Sequence, residues 1–415
     1  MVHSTAEVTA VKAIARAAGL SLICPDCQWL SRGVNSSAWR VDCLTGSYAV
    51  RLHRTSAWRA PTYFSESLLS AQLVRLGPPV PKPIANNVTY RGHIAGVTRA
   101  WSVATLADGQ AISSRGLDTT LAQELARFLA VLHSIDVEGY GPLAQDSDRL
   151  RGIVATPMSG LLARWRSAAL WPLDGSDLSE HPIAAFRPDL ARAVEKHREA
   201  IVAAATREQR AVLHSDIHAD HVYAQDGHLS TVLDFGGAFV GPISWDFAPV
   251  ALFLGWDQAR SLVREYNALT RSSLAWHDLT RVTLCFVLYR FAVEATASAP
   301  AYILERHSAV LAETLNLAPP ATRKTAASRD RWRQRGSSIS CCGSHRFRLG
   351  TCTPATSAFA TTGSGGLLSR ESGIRPRRCY IPTGSSVIRR SSTCFTCISD
   401  LVEYQCSSCV LQWVP

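Results

Sequence analysis

Between residues 214 and 234 of this chain stand two carboxylates, Asp216 and Asp234, and three imidazoles, His214, His218 and His221, whose spacing could do chemistry. Residues 211–213 read as a short buried strand that delivers His214-Ser215-Asp216 onto a loop. His221-Val222-Tyr223 begins a second strand, and Asp226-Gly227 carries the signature of a two-residue hairpin turn. The return strand, residues 229–233, ends at Asp234-Phe235-Gly236. Asp216, His221 and Asp234 are therefore expected at one end of one small sheet. Two carboxylates so placed can divide a task, one orienting an attacking hydroxyl and the other holding Mg²⁺. Phosphoryl transfer needs that division, because its loose transition state calls for positioning and charge neutralisation.

The spacing is that of a kinase catalytic loop, H-x-D-x-x-x-x-N followed by D-F-G, with His221 where Asn is usual. The blocks 214–221 (HSDIHADH), 233–236 (LDFG) and 244–248 (SWDFA) resemble the aminoglycoside phosphotransferase family, small-molecule relatives of the protein kinases. The resemblance spans about residues 20–318. In that family the first block usually runs H-G-D-x-H-P-x-N, and a later D-x-A, here at Asp246, helps to brace the loop. Ser215 for Gly and His221 for Asn are the two departures. The resemblance implies an α+β, two-lobed protein-kinase-like fold with a strand-rich N-terminal lobe and a mainly helical C-terminal lobe. It also implies an ATP- or GTP-dependent phosphotransferase with a small-molecule hydroxyl as acceptor, such as an aminoglycoside or macrolide antibiotic. Asp216 would then be the catalytic carboxylate and His214 a brace for its loop. Asp234 and His221 would hold Mg²⁺, or Mn²⁺ in its place, since an imidazole nitrogen suits Mn²⁺ better than Mg²⁺.

In the kinase pattern the third strand carries a cation for the phosphates, and the next helix carries a Glu that pairs with it. Arg51, in the strand 48–53, and Glu66, in the helix 62–76, take those places. Arg makes a planar, bidentate contact where Lys makes a point contact. Gly33, Asn35 and Ser36 lie in a small polar loop between strands, where backbone N–H groups can approach phosphate.

These residues need elements to hold them. Residues 5–18 carry apolar side chains at helical spacing and stop at Gly19. Strands are expected at 29–44 and 47–53, then a helix at 62–76 ended by GPPVPKP, then strands at 84–90 and 93–103 that complete five. Residues 1–103 form the nucleotide-binding lobe with its leading helix, 104–110 the linker, and 111–318 the catalytic and acceptor-binding lobe. Helices in that second lobe are expected at 119–133, 158–170, 183–205, 245–254, 257–269, 274–296 and 301–315.

A chain of 415 residues that is 47% hydrophobic has enough apolar surface for two lobes and an appendage. The net charge of +10 would suggest nucleic acid if it were spread evenly. Residues 1–318 instead hold 29 basic and 29 acidic residues, while 319–415 hold 14 and 4. No nucleic-acid partner is expected for the enzyme core. No apolar run suits a membrane span and no secretory pattern opens the chain, and the four cysteines before residue 319 suit reduced thiols. A cytoplasmic enzyme is expected. Residues 319–415 lose all periodicity and read as a disordered basic tail, although Cys394-x-x-Cys397 and Cys406-x-x-Cys409 imitate a zinc ribbon at short spacing.

Other readings of the loop are a kinase for a metabolite such as an amino alcohol, homoserine or sugar, and an inactive kinase-like binding module. His214, His218 and His221 also admit a zinc metallohydrolase, with a further ligand from His228 or His277. The kinase reading alone accounts for Arg51, Glu66, Asp234 and Asp246 together. The acceptor stays open. Residues 151–318 carry 15 basic and 18 acidic residues, which favours a cationic aminoglycoside, whereas Trp165, Trp171 and Trp256 favour a larger apolar molecule such as a macrolide.

Overall fold

A computed structural model of the chain describes residues 5–24, 26–32, 36–56, 62–112, 116–144, 149–165, 170–270 and 274–318. The expectations for Gly33, Asn35 and the tail from residue 319, its cysteine pairs included, lie outside the described residues.

The leading helix α1 (Thr5–Ala17) packs Val11, Ile14 and Ala15 onto a five-stranded antiparallel sheet. That sheet holds β1 (Gln28–Arg32), β2 (Ser36–Cys43), β3 (Gly46–Ser56), β4 (Pro83–Asn86) and β5 (Arg99–Thr105), in the order β1-β2-β3-β5-β4. Helix α2 (Thr62–Leu76) crosses between β3 and β4. The period-2 pattern of a strand explains the division of its faces: Val50 and Leu52 join Trp39, Trp101 and Val103 in the core beneath α1, so Arg51 is left on the opposite face. Strands β4 and β5 are shorter than the expected 84–90 and 93–103, because residues 87–98 turn rather than extend.

The second lobe begins with β6 (Gln110–Ala111), α3 (Thr119–His133), β7 (Tyr140–Leu143), β8 (Gly152–Val154) and α4 (Pro157–Arg164). Asp118 caps α3, its carboxylate accepting from the Leu121 N–H. Gly141 and Gly160 let α4 lie against β7, since a Cβ at Gly160 would come 2.6 Å from the Gly141 nitrogen. Three short helices follow, α5 (Pro182–Phe186), α6 (Pro188–Glu195) and α7 (Arg198–Ala205), where the sequence suggests one helix over 183–205. Pro188 accounts for the first break: it forces Arg187 out of the helical region, to φ −141° and ψ 77°.

Strands β9 (Ala211–Leu213), β10 (Val222–Gln225), β11 (His228–Val232) and β12 (Phe239–Gly241) carry the loops of interest. They do not form one sheet, as the sequence alone suggests. β10 and β11 pair with β6 in a three-stranded sheet, whereas β9 lies in a four-stranded sheet ordered β8-β7-β12-β9. The hairpin turn is as expected, Asp226 and Gly227 both having positive φ. Four helices close the lobe: α8 (Ser244–Phe253), α9 (Trp256–Thr270), α10 (Trp276–Thr296) and α11 (Ala301–Leu317). α10 is covered on most sides, and 14 of its residues are buried, packed against α7, α8 and α11. None of the helices among the described residues is long and apolar enough to cross a membrane.

Candidate active site

Although β9 and the β10–β11 hairpin belong to different sheets, hydrogen bonds between their loops bring the two carboxylates together. His214 is fully buried and fully bonded. Its Nε2–H donates to the Leu233 carbonyl (2.7 Å), and its Nδ1 accepts the Asp216 N–H (3.3 Å). One ring therefore joins the residue before Asp234 to Asp216 itself. Burial holds the ring's pKa below the ordinary value despite the charge of Asp246 nearby, so it stays neutral.

Asp246, at the start of α8 and wholly buried, braces the same loop. Its Oδ1 accepts the Ser215 N–H (2.5 Å), and its Oδ2 accepts both the His214 N–H (3.0 Å) and His133 Nε2–H (2.9 Å). His133 in turn accepts from the Tyr266 hydroxyl at Nδ1 (2.9 Å). Ser215 stands at φ 68°, the left-handed region in which Gly is usual. Its side chain meets part of that strain by donating from Oγ to the Gly237 carbonyl (2.6 Å), which also accepts Arg164 Nε (2.9 Å).

The second carboxylate is gripped from the other lobe. Arg51 Nη2 lies 2.5 Å from Glu66 Oε2, its Nε donates to Ser102 Oγ (3.2 Å), and its guanidinium sits 4.9 Å above the Tyr63 ring. Glu66 also accepts the backbone N–H of Phe235, so α2 is tied to the Asp234-Phe235-Gly236 turn. Burial works against the charge on Arg51, but Glu66, Tyr63 and Asp234 outweigh it and keep the guanidinium protonated. Burial likewise works against the Asp234 carboxylate, yet the positive charge around it, to which Arg51 contributes, holds its pKa below the usual range. Asp234 has φ 62° and accepts the Gly236 N–H (3.3 Å).

His221 stands between the two carboxylates. Its Nδ1–H donates to the Asp216 carbonyl (2.8 Å), which in the neutral ring puts the lone pair on Nε2, 3.6 Å from Asp234 Oδ2. An imidazole nitrogen facing an anionic carboxylate is a donor set that a divalent cation fits. Asp216 Oδ2 lies 3.8 Å from His221 Nδ1 and 4.0 Å from His218 Nε2. Asp216, His218 and His221 are thus close enough to suggest a metal site of their own, but the ring protons oppose it. Both His214 nitrogens are engaged by backbone, and Nδ1 of His218 accepts the Asp220 N–H (3.2 Å), so its Nε2 bears hydrogen. A zinc site would have to break these bonds.

Of the expected residues, the structure gathers Arg51, Glu66, His214, Asp216, His221 and Asp234. Ser36 opens β2 with its hydroxyl bonded to Tyr63. Sequence reasoning missed Tyr63, Ser102, His133, Tyr266 and Arg164. Only Tyr63 left a signal, standing three residues before Glu66 and so on the same helix face.

A strand-rich lobe with an Arg–Glu pair, joined to a helical lobe with a braced Asp loop and a second Asp, defines a two-lobed, kinase-like phosphotransferase. A sequence model described as the phosphotransferase enzyme family (APH) matches residues 26–279, and the chain belongs to that family. It is a phosphotransferase. Among solved structures it is similar to aminoglycoside phosphotransferase APH(4)-Ia (TM-score 0.53, 17% identity, covering 73% of this chain and 98% of that one). It is also similar to a thermostable mutant of that enzyme in ternary complex with AMP-PNP and hygromycin B (TM-score 0.51, 18% identity, 73% and 97%). A third similar structure is macrolide 2'-phosphotransferase MphH from Brachybacterium faecium (TM-score 0.48, 19% identity, 72% and 96%). At such identities the likeness concerns the fold. No curated protein matches the chain by sequence.

Proposed function

We propose that the chain uses ATP or GTP to phosphorylate a hydroxyl of a small polyhydroxylated molecule such as an aminoglycoside or a macrolide. The observation that carries this reading is the chain of contacts from Arg51 through Glu66 to the Asp234 turn, converging beside Asp216. Arg51 binds phosphate oxygens, steadied by Glu66, Ser102 and Tyr63. Asp234 and His221 Nε2 would hold a divalent cation, which supplies charge neutralisation to the polyphosphate. Asp216 accepts the hydrogen of the acceptor hydroxyl as its oxygen forms a bond to the terminal phosphorus. The bond from that phosphorus to the bridging oxygen breaks, and a nucleoside diphosphate leaves. His214 and Asp246 fix the loop so that the carboxylate is aimed before substrate arrives.

The solved relative in complex with AMP-PNP and hygromycin B supports both the nucleotide and the acceptor class. The test is incubation with ATP or GTP, Mg²⁺ and a panel of aminoglycosides, macrolides, amino alcohols and sugars. Nucleoside diphosphate and a phosphorylated acceptor should form with the parent and not with Asp216→Asn. If no member of the panel is phosphorylated and nucleotide turnover equals that of Asp216→Asn, the reading fails.

A further inference from the structure

His218 has no part in the mechanism so far, yet it is the polar side chain in the site with an unmet group. The residue is 6% exposed, and among the described residues its Nε2 has no hydrogen-bond partner. A buried donor left in this way costs about 1–3 kcal/mol. Three contacts fix how the ring lies. Nδ1 accepts the Asp220 N–H at 3.2 Å, capping the 3-10 turn of residues 219–221. One face stacks on His221, ring centroids 3.7 Å apart, and the ring meets Phe253 nearly edge-on at 5.5 Å. A ring that accepts at Nδ1 carries its hydrogen on Nε2.

Nε2 lies 4.0 Å from Asp216 Oδ2, too far for a direct bond. An oxygen about 2.8 Å from each would subtend an angle of roughly 90° between them. A hydroxyl meets both demands, because it donates one hydrogen and accepts at its lone pairs.

We propose that His218 is a further catalytic residue: its Nε2–H donates to the acceptor hydroxyl oxygen while Asp216 Oδ2 accepts that hydroxyl's hydrogen. The proposal rests on the phosphotransferase reading above. The two contacts occupy one lone pair and the O–H bond, and leave the other lone pair to attack phosphorus. The oxygen–phosphorus bond then forms, the hydrogen passes to Asp216, and the nucleoside diphosphate leaves with the electrons of the broken bond. An ammonium group has no lone pair for Nε2–H, so the arrangement admits hydroxyls and rejects protonated amines.

The test uses the full chain with Mg²⁺ and ATP, water serving as the acceptor probe. His218→Leu keeps a ring-sized apolar group against Phe253 but loses the donor, and His218→Gln restores an N–H near the Nε2 position. Both should melt close to the parent. His218→Leu should lower kcat about tenfold or more with KM for ATP unchanged within about twofold, and His218→Gln should recover to within about threefold of the parent. Long-range ¹H–¹⁵N spectra of histidine-labelled protein should show residue 218, assigned by its absence in His218→Gln, as the Nε2–H tautomer. Parental kcat in a folded His218→Leu, an effect on KM alone, or an Nδ1–H tautomer would each overturn the proposal while the phosphotransferase reading stands. ATP turnover by the parent no faster than by Asp216→Asn, with no acceptor phosphorylated, would remove both.

Discussion

Replacing Asp246 by Asn changes one atom and should cost more than most surface substitutions of any size. Each oxygen of this buried carboxylate is already committed: Oδ1 to the Ser215 N–H, Oδ2 to the N–H groups of His214 and His133. An amide must turn its NH₂ toward one set. The cheaper choice faces Ser215, losing one bond to a charged acceptor, worth about 1.5–3 kcal/mol, and weakening the other two. A loss of about 2–4 kcal/mol in unfolding free energy follows, a large share of a typical 5–15. Asp246→Ala leaves three buried donors at roughly 1–3 kcal/mol each, so roughly 3–9 kcal/mol, and should fold poorly or not at all. Activity should fall further than stability explains, because without its acceptor Ser215 can relax from φ 68° and carry Asp216 with it. Urea unfolding gives the first quantity, and turnover at a temperature where the variant is fully folded gives the second. A coupling of about 0.5–3 kcal/mol with His133→Phe in a double-mutant cycle would show that His133 acts through Asp246. If Asp246→Asn unfolds within about 0.5 kcal/mol of the parent and turns over normally, the brace is not what holds the loop.

Ser215→Gly removes left-handed strain of roughly 1–2 kcal/mol and loses an Oγ bond of about 1 kcal/mol, so urea unfolding should move by no more than about 1 kcal/mol and activity should survive. His221→Asn should remain active with Mg²⁺ while its preference for Mn²⁺ over Mg²⁺ shrinks, because an oxygen ligand replaces nitrogen; an unchanged metal preference would remove His221 from the metal site. Burial lowers the pKa of His181 and of His307 to about 4 from 6.5. The unfolded chain therefore binds more protons between those values, and stability should fall as pH drops through that window, by up to about 1.4 kcal/mol per pH unit for each ring. A urea midpoint whose slope against pH is unchanged by His181→Gln and His307→Gln would contradict this.

The candidate catalytic loop was legible because its residues are local in the sequence. His214, Asp216, His221 and Asp234 lie within one strand–loop–hairpin, and short apolar runs with an Asp-Gly turn announce that arrangement without help from the rest of the chain. The Arg51–Glu66 pair was legible from its order along the chain, strand before helix. What stayed hidden depends on distance in sequence. Nothing near His133 indicates that it meets Asp246, 113 residues away, since a His at the end of an amphipathic helix reads as a solvated cap. The division of β9 and β10 between two sheets was also invisible: a run of three apolar residues states that it is buried, not which partner it pairs with. The broken helix over 183–205 is a different kind of miss, because Pro188 stands in the sequence and disfavours a helical conformation for Arg187 before it.

Ser215 and His221, where the chain departs from its family's usual loop, show how a tightly specified site tolerates change. Each substituted side chain hydrogen-bonds a backbone carbonyl within the site, Ser215 to Gly237 and His221 to Asp216. Each of those bonds fixes the property the position has to deliver. For Ser215 that property is a left-handed backbone, which the hydroxyl bond and Asp246 together hold where Gly would adopt it freely. For His221, under the proposed function, it would be a ligand atom facing Asp234, and donation from Nδ1 sets which nitrogen of the neutral ring keeps its lone pair. The second bond matters more, because a ring flip would direct an N–H at Asp234 and leave no lone pair there for a cation. Under the proposed function the carbonyl of Asp216 would act on the cation's position through His221, so the residue proposed for the acceptor would also set the tautomer that faces the nucleotide's counter-ion.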